Sequence, residues 1–209
     1  MDPGCAMGGD MPIELAIIKG ISVIQEDDGR VHWTSGGSID ADGANGQNGA
    51  PFSYRMDDNG LDALANAGWP GGGWTNVLMD RGDGTPLTDA HGNAYSKTTY
   101  AWKGRPITTR YVDAATVPYA VVNPLVRLRA VGVVIGCRAR ISFHGTSVEA
   151  VVADVSGSSG IGELSIAAAA ALGIPSSPRT GGVAAGVRFE MWPGSAAVVH
   201  GELYALQPV

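Results

Sequence analysis

Short hydrophobic runs separated by glycine- and proline-rich turns dominate the pattern along this chain. Residues 21–25 and 30–33 are rich in β-branched and aromatic side chains, and the pair Asp28-Gly29 between them predicts a β-hairpin. Six further runs in succession predict strands, namely residues 98–102, 108–112, 119–122, 131–137, 139–143 and 148–154. Six strands can close into a small barrel, which leaves no free sheet edge.

Helical periodicity is confined to two short segments, residues 61–67 and the alanine-rich residues 164–174. Two later apolar runs, 187–192 and 197–206, predict additional strands. Glycine, aspartate and asparagine crowd residues 36–51, which predicts a long loop. The predicted fold is therefore mainly β, with short peripheral helices and long glycine-rich loops.

The composition indicates one domain. A chain of 209 residues with 44% hydrophobic content can bury a single core, and nothing in it demands a second one. The 31 glycines and 12 prolines, with only 16% charged residues, favour short strands joined by turns over a helical bundle. We expect a flexible segment over residues 1–12 and one domain over residues 13–209.

The charge and the N-terminal pattern limit the classes of partner. A formal net charge of −6 argues against nucleic acid, since binding its backbone requires clustered Lys and Arg. The acidic surplus is compatible with a cationic polysaccharide, although a similar surplus also serves solubility. Glu14, Lys19 and Gly20 interrupt residues 13–24, and no basic stretch precedes them. We therefore expect neither a signal peptide nor a membrane span, and no membrane partner.

The two cysteines predict no structural framework. Cys5 lies in the expected flexible segment and Cys137 in a strand-like run, so a disulfide between them is left open. Neither has a histidine at zinc-ligand spacing, which argues against a structural zinc site. We expect a metal-free protein.

The strongest chemical signal is a pair of acids around a flexible turn. Asp154 follows a β-branched run, Glu163 precedes the alanine-rich segment, and the intervening residues 156–160 are all Ser or Gly. Such a turn can bring two carboxyl groups to one cleft, as glycoside hydrolysis requires. The structural alternative is that Asp154 caps a turn and that Glu163 is favoured by the dipole at the start of a helix.

Residues 151–174, which contain V-A-D-V-S-G-S-S-G-I-G-E-L-S-I-A and the alanine-rich segment after it, resemble the catalytic region of the glycoside hydrolase family 75 chitosanases. Three further segments resemble motifs of that family and occur in its order. They are I-D-A-D-G at residues 39–43, G-L-D-A-L-A-N-A-G at residues 60–68, and Y-V-D-A with a following P-Y between residues 111 and 119.

The resemblance implies an endo-acting enzyme that hydrolyses β-1,4 links of chitosan with inversion, on a six-stranded double-psi β-barrel. It carries the two catalytic acids over to Asp154 and Glu163. In related barrel enzymes the acid before Leu-Ser donates the proton, which favours Glu163 as general acid and Asp154 as general base. No metal or organic cofactor is implied.

Five residues are candidates for binding the substrate. By the resemblance, Asp40 and Asp42 line the cleft and pair with glucosamine ammonium groups, although Asp beside Gly is also a common turn former. Tyr111 and Asp113 are expected at its mouth, but Asp113 at a strand end is equally compatible with a structural role. Trp74 can stack on a sugar face or fill a gap in the core.

Two alternatives remain open at this point. The same acids on the same barrel would serve a lytic enzyme that cleaves peptidoglycan, and the lack of a leader favours that version. A non-catalytic carbohydrate-binding module is the second alternative, because a fold does not fix a function. In each case we expect a monomer that acts outside the cell, reached after removal of a leader, by another export route or by phage lysis. Burial or the charge of Asp154 is expected to raise the pKa of Glu163.

Overall fold

The computed structural model describes residues 11–45, 54–55 and 62–208, and in these residues it contains eleven strands. The strands are β1 (Ile13–Ile18), β2 (Ile21–Gln25), β3 (Val31–Asp40), β4 (Tyr54–Arg55), β5 (Asp62–Ala63), β6 (Tyr119–Val122), β7 (Cys137–Phe143), β8 (Thr146–Val155), β9 (Glu163–Ser165), β10 (Val183–Val199) and β11 (Glu202–Tyr204). The helices are α1 (Ile107–Arg110), α2 (Pro124–Arg129) and α3 (Ile166–Ala171), with 3-10 turns at Leu64–Ala67 and Trp74–Asn76.

Six of these strands close into a mixed barrel. Around the barrel they follow the order β3, β9, β6, β8, β7 and β10, and antiparallel pairing between β10 and β3 completes the ring. The pairs β3–β9 and β6–β8 are parallel. The prediction of a mainly β protein with a six-stranded barrel and short helices is confirmed.

The two halves of the barrel interlock. The first half supplies β3, β6 and β7, and the second supplies β8, β9 and β10. The first strand of each half lies parallel to the second strand of the other half, which gives the two parallel pairs. This exchange is the arrangement expected of a double-psi barrel, and it brings distant parts of the chain side by side.

Burial explains why these sequences form strands. All four residues of β6 are buried, as are residues 150–154 of β8, which matches the continuous apolar runs of parallel strands covered on both faces. Strand β7 alternates between buried and half-buried residues. Inside the barrel Trp33 stacks on Phe189 with ring centroids 5.0 Å apart.

The strands predicted around the barrel are partly corrected. The hairpin of β2 and β3 and the strands β6, β7 and β8 lie where the pattern placed them. Residues 98–102 form no named strand, and helix α1 occupies most of residues 108–112. Residues 131–136 precede β7 as turns, because Gly132 and Gly136 adopt positive φ angles. The prediction of six barrel strands is therefore right in number, but three of the six predicted segments are not strands of the barrel.

Two segments near the functional residues also differ from the prediction. Residues 36–40 continue β3 instead of opening a loop, since Gly36 and Gly37 pack directly against β10 and Leu164. Glu163 begins strand β9 instead of a helix, and α3 starts only at Ile166. Ser165 caps that helix by accepting a hydrogen bond from the N–H of Ala168.

The long connection between β3 and β6 has a small hydrophobic core of its own. The predicted helix over residues 61–67 is reduced to the 3-10 turn at Leu64–Ala67. This second cluster contains Ala41, Tyr54, Leu64, Ala67, Trp74, Leu78 and Ala94. It is separate from the barrel core, and it forms a wall beside the end of β3.

Some predictions lie outside the described residues. They include most of the flexible segment 1–12, Cys5, Leu61 and the end of the loop predicted to reach Pro51. Cys137 is described and is buried. Among the described helices, none has the length and apolar character needed to cross a membrane.

We expect Gly136→Ala to lower the free energy of unfolding by about 2–4 kcal/mol. Gly136 has a φ of 86°, and an added Cβ would lie 2.4 Å from the carbonyl oxygen of Ala205. Gly145→Ala is the matched control, because Gly145 has a φ of 84° with no atom within 4 Å of the added Cβ. The control should lose only about 1–2 kcal/mol through backbone strain. Equal losses in urea unfolding would contradict the close approach at Gly136.

Candidate active site

Strand register brings the candidate acids to one end of the barrel. Asp40 is the last residue of β3, and its neighbour Ser38 pairs with Glu163 across the parallel β3–β9 ladder. Asp154 pairs with Val121 in the parallel β6–β8 ladder, and β6 lies between β8 and β9. Residues far apart in the sequence therefore meet because three ladders share this end.

Three carboxyl groups form a tight cluster. One carboxylate oxygen from each of Asp40, Asp42 and Asp154 lies within 4.8 Å of the other two. The N–H of Asp42 donates to Oδ1 of Asp40 at 2.9 Å, which fixes the turn after β3. Like charges at this separation cannot all ionise without cost, so the cluster favours holding protons near neutral pH.

Asp154 is anchored through one oxygen. Its Oδ1 accepts hydrogen bonds from Thr99 N at 3.0 Å, Thr99 Oγ1 at 2.7 Å and Val155 N at 2.7 Å. No other described residue donates to Oδ2. Burial raises the pKa of Asp154 to about 6, against the lowering effect of the bonds from Thr99 and Val155, while the charge of Glu163 raises it further.

Glu163 is half-buried in the same region. Burial raises its pKa to about 7, and the charge of Asp40 raises it further, while Lys19 acts in the opposite direction. The sequence predicted that burial or the charge of Asp154 would raise the pKa of Glu163. Burial is the larger cause, and the like charge that adds to it is that of Asp40. Two glycines give Glu163 its place: a Cβ on Gly160 would lie 3.2 Å from its Oε1, and one on Gly162 would meet Gly36 O at 2.4 Å.

Two tyrosines hold Asp42, beside Asp40. Tyr54 donates its hydroxyl to Oδ1 of Asp42 at 2.8 Å, and the hydroxyl of Tyr119 donates to the backbone oxygen of Asp42 at 3.0 Å. Burial and then the charge of Asp154 raise the pKa of Asp40 to about 7. Burial and then the charge of Asp40 raise the pKa of Asp42 well above its usual value.

An open cleft passes over these acids. It consists of two adjoining pockets of about 630 Å³ and 360 Å³, which share Asp42, Asp154 and residues 155–157. The smaller pocket also contains Asp40 and Glu163, and the larger one contains Thr99 and Tyr111. The cleft therefore offers open space on both sides of Asp154.

The structure places the other predicted binding residues in different surroundings. Tyr111 lines the larger pocket, and its hydroxyl lies 3.5 Å from the sulfur of Met79. Trp74 is buried in the second cluster, where it packs edge-on against Trp69, so it offers no face to a sugar. Asp113 is also buried, and its Oδ1 accepts the N–H of Ala115. These surroundings favour the alternatives that the sequence left open, a core-filling role for Trp74 and a structural role for Asp113, and their contact with a substrate stays a prediction.

Several residues of the site carry no signal of their own in the sequence. Thr99 lies in a run that predicted a strand, and only the fold brings it to Asp154. Tyr54 and Tyr119 are equally remote from Asp42 in sequence. The quoted P-Y motif includes Tyr119, so the motif was informative although the role of its tyrosine was not predicted.

The three clustered carboxylates also bear on metal binding. Oxygen-only sets of this kind are what hard divalent cations prefer, so Asp40, Asp42 and Asp154 are the residues that could hold one. The hydrogen bonds from Thr99 and Tyr54 already satisfy part of their capacity. Metal-free chemistry stays a prediction, and glycoside hydrolysis by a carboxyl pair does not need a metal.

Sequence comparisons add no family to this geometry. A scan of the chain against protein-family models and a search of curated proteins both give no match. The resemblance to the family 75 chitosanases therefore rests on the four quoted motifs. The function has to be argued from the cleft and its acids.

We expect Asp40→Asn to stabilise the protein more at pH 8 than at pH 5. The folded-state pKa of Asp40 is raised to about 7, so its favourable contribution is full below the unfolded value near 4 and is lost as the pH rises through 7. Asparagine cannot ionise, so the stability gain over wild type should grow by about 1–2 kcal/mol between pH 5 and pH 8.

Urea unfolding at both pH values measures this difference. Asp83→Asn is the control, because Asp83 is exposed and its pKa is lowered by hydrogen bonds from Thr85, so it is ionised at both pH values. The control should show the same difference from wild type at pH 5 and pH 8. A pH-independent effect of Asp40→Asn would contradict the burial of an ionisable Asp40.

Proposed function

We propose that this protein is an endo-acting glycoside hydrolase that cleaves the β-1,4 links of chitosan with inversion. Glu163 is the general acid and Asp154 is the general base. The observation that carries the proposal is that both acids line one open cleft in different environments, one half-buried beside Asp40 and the other anchored by Thr99. Pairs of carboxyl groups with separately tuned pKa values are typical of glycosidases.

Glu163 is suited to donate the proton. A pKa raised to about 7 leaves much of this side chain protonated near neutral pH, when an ordinary glutamate would be ionised. In the proposed reaction its proton passes to the glycosidic oxygen as the bond from that oxygen to the anomeric carbon breaks. Positive charge develops on the sugar ring as this bond breaks, and it is neutralised when the incoming water bonds to the anomeric carbon.

Asp154 is suited to activate that water. Its Oδ1 is occupied by donors from Thr99 and Val155, which leaves Oδ2 to accept a proton. Burial raises its pKa less far than that of Glu163, to about 6 against about 7, and the hydrogen bonds from Thr99 and Val155 favour its charged form. The water loses a proton to Asp154 and its oxygen bonds to the anomeric carbon from the opposite face, which inverts the configuration.

The acidic end of the cleft suits a cationic polymer. Asp40 and Asp42 lie next to the two catalytic acids, and their carboxyl groups can pair with glucosamine ammonium groups. A nearby ammonium would also favour their ionised forms. The net charge of −6 would attract such a substrate, which is encountered outside the cell.

We expect Glu163→Gln and Asp154→Asn each to lower kcat on chitosan by about 10²–10⁴-fold while the fold is retained. Each change removes a transferable proton or its acceptor and keeps the shape of the side chain. Reducing-end release measures the activity, and circular dichroism with urea unfolding checks the fold. The controls are Glu14→Gln and Asp27→Asn, two exposed acids of the N-terminal hairpin, which should keep wild-type rates.

The same assay on purified peptidoglycan separates the alternatives. Turnover of peptidoglycan alone would replace chitosan by a cell-wall substrate with the same acids. Glycan binding without turnover, unchanged in Glu163→Gln, would make the protein a carbohydrate-binding module. An α-anomeric first product, followed by NMR, is expected for inversion of a β-link, and a β-anomeric product would exclude it. Each assay is run with and without EDTA, so that a requirement for a metal would be visible as activity lost only with the chelator.

We expect a narrow optimum of kcat/KM between about pH 6 and pH 7 on a soluble glucosamine oligomer. Activity rises as Asp154 loses its proton near 6 and falls as Glu163 loses its proton near 7. Asp40→Asn should move the alkaline limb to lower pH, since it removes a like charge beside Glu163. Full activity of the wild type at pH 9 would contradict the assignment of Glu163 as the acid.

A further inference from the structure

The segment that joins the two proposed catalytic acids crosses the end of strand β6. In the sheet, β6 lies between β8, which carries Asp154, and β9, which begins at Glu163. Since β8 is parallel and β9 antiparallel to β6, residues 156–162 pass over the carboxyl end of β6. The N–H of Ser156 donates there to the carbonyl oxygen of Val122, the last residue of β6, at 3.0 Å.

Asn123, the residue that follows β6, binds this turn from outside. Its side-chain Nδ2 donates to the carbonyl oxygens of Ser158 at 3.1 Å and Gly160 at 2.8 Å. A side-chain amide has two N–H donors, so the turn accepts both of them. Asn123 is only 2% exposed, and the exclusion of water strengthens these bonds.

The oxygen of the same side chain caps helix α2. Oδ1 of Asn123 accepts the N–H of Leu125 at 2.9 Å, and Pro124 occupies the first position of the helix. The cap fixes the orientation of the amide, and this orientation presents Nδ2 to the turn. One buried side chain therefore ties the start of α2 to the turn between the two acids.

Gly160 connects these bonds to the carboxyl group of Glu163. A Cβ added to Gly160 would lie 3.2 Å from Oε1 of Glu163, so the part of the turn that Asn123 holds packs beside that carboxyl group. Ser156 and Gly157, at the other end of the turn, line both pockets of the cleft together with Asp154. Displacement of the turn would therefore change the surroundings of Glu163 and the wall of the cleft.

We propose that Asn123 is a positioning residue, which fixes Glu163 relative to Asp154 by holding the turn between them. Asn123 lines neither pocket of the cleft, so it acts through the turn and not on the substrate. This inference rests on the proposed function, and it extends the site to a side chain behind the cleft. The structural alternative is a helix cap alone, and the two roles use different atoms of the side chain.

Asn123→Ser separates the two roles. Serine caps helices about as well as asparagine, but it lacks the amide that donates to both carbonyl oxygens of the turn. We expect kcat on chitosan to fall by about 10- to 100-fold while KM changes by less than about 3-fold, because a displaced acid slows the reaction more than it weakens binding. Asn123→Asp has the same shape and can cap the helix but has no N–H donors, so it should act in the same direction.

Hydrogen exchange followed by NMR tests the role of Asn123 without any substrate. The N–H groups of Ser156 and Gly160 donate to the carbonyl oxygens of Val122 and Gly157. Their exchange should become at least about 10-fold faster in Asn123→Ser, since the turn would open without unfolding of the barrel.

Asn93→Ser is the matched control. Asn93 is also a buried asparagine, its side chain accepts a hydrogen bond from Arg55 and donates one to Asp89, and it lines neither pocket. This variant should keep the wild-type kcat and the wild-type exchange rates of the turn.

The two measurements separate the possible failures. Unchanged exchange in Asn123→Ser would show that Asn123 does not hold the turn, and faster exchange with an unchanged kcat would leave it a structural role only. Either result would overturn the proposal. A wild type that cleaves no glycan would overturn the proposed function, and the exchange rates would then decide separately whether Asn123 holds the turn.

Discussion

The parallel pairing of β3 with β9 is the constraint on which the site depends. It places Ser38 opposite Glu163 and Asp40 opposite Ser165, so an acid from the first part of the chain lies beside one from the last part. Burial in this ladder then raises the pKa values of Asp40 and Glu163 together. A shift of one residue would turn the side chains of one strand to the opposite face and separate the acids.

Desolvation and hydrogen bonding give the neighbouring carboxyl groups different tasks. Burial acts on all of them, but Asp154 receives three hydrogen bonds that favour its charged form, while Glu163 sits beside the like charge of Asp40. The different surroundings of the two groups follow from these local contacts and not from the residue types. The same effects would act on any amino-sugar polymer, so selection among such polymers would depend on the charges along the rest of the cleft.

The sequence predicted what depends on short range or on a repeated pattern. The mainly β barrel, the hairpin turn at Asp28-Gly29 and the meeting of Asp154 with Glu163 around a short turn are of this kind. The sequence-based prediction was wrong where tertiary contacts override local propensity. Glu163 was assigned to the start of the alanine-rich helix but lies in strand β9. Gly36 and Gly37 were assigned to a loop but continue β3, because they pack against β10 and Leu164. The role of Thr99 could not be predicted, since a hydrogen bond across 55 positions leaves no local pattern.

The connection between β3 and β6 has its own hydrophobic cluster, and it supplies Lys97, Asn76 and Val77 to the cleft. The catalytic acids Asp154 and Glu163 belong to barrel strands. The proposed catalytic acids and part of the wall of the cleft thus belong to two separately packed clusters of side chains. Exchange of residues in the wall can therefore change the lining of the cleft without repacking the barrel, so the ligand that the cleft accepts can be altered by changes in one segment.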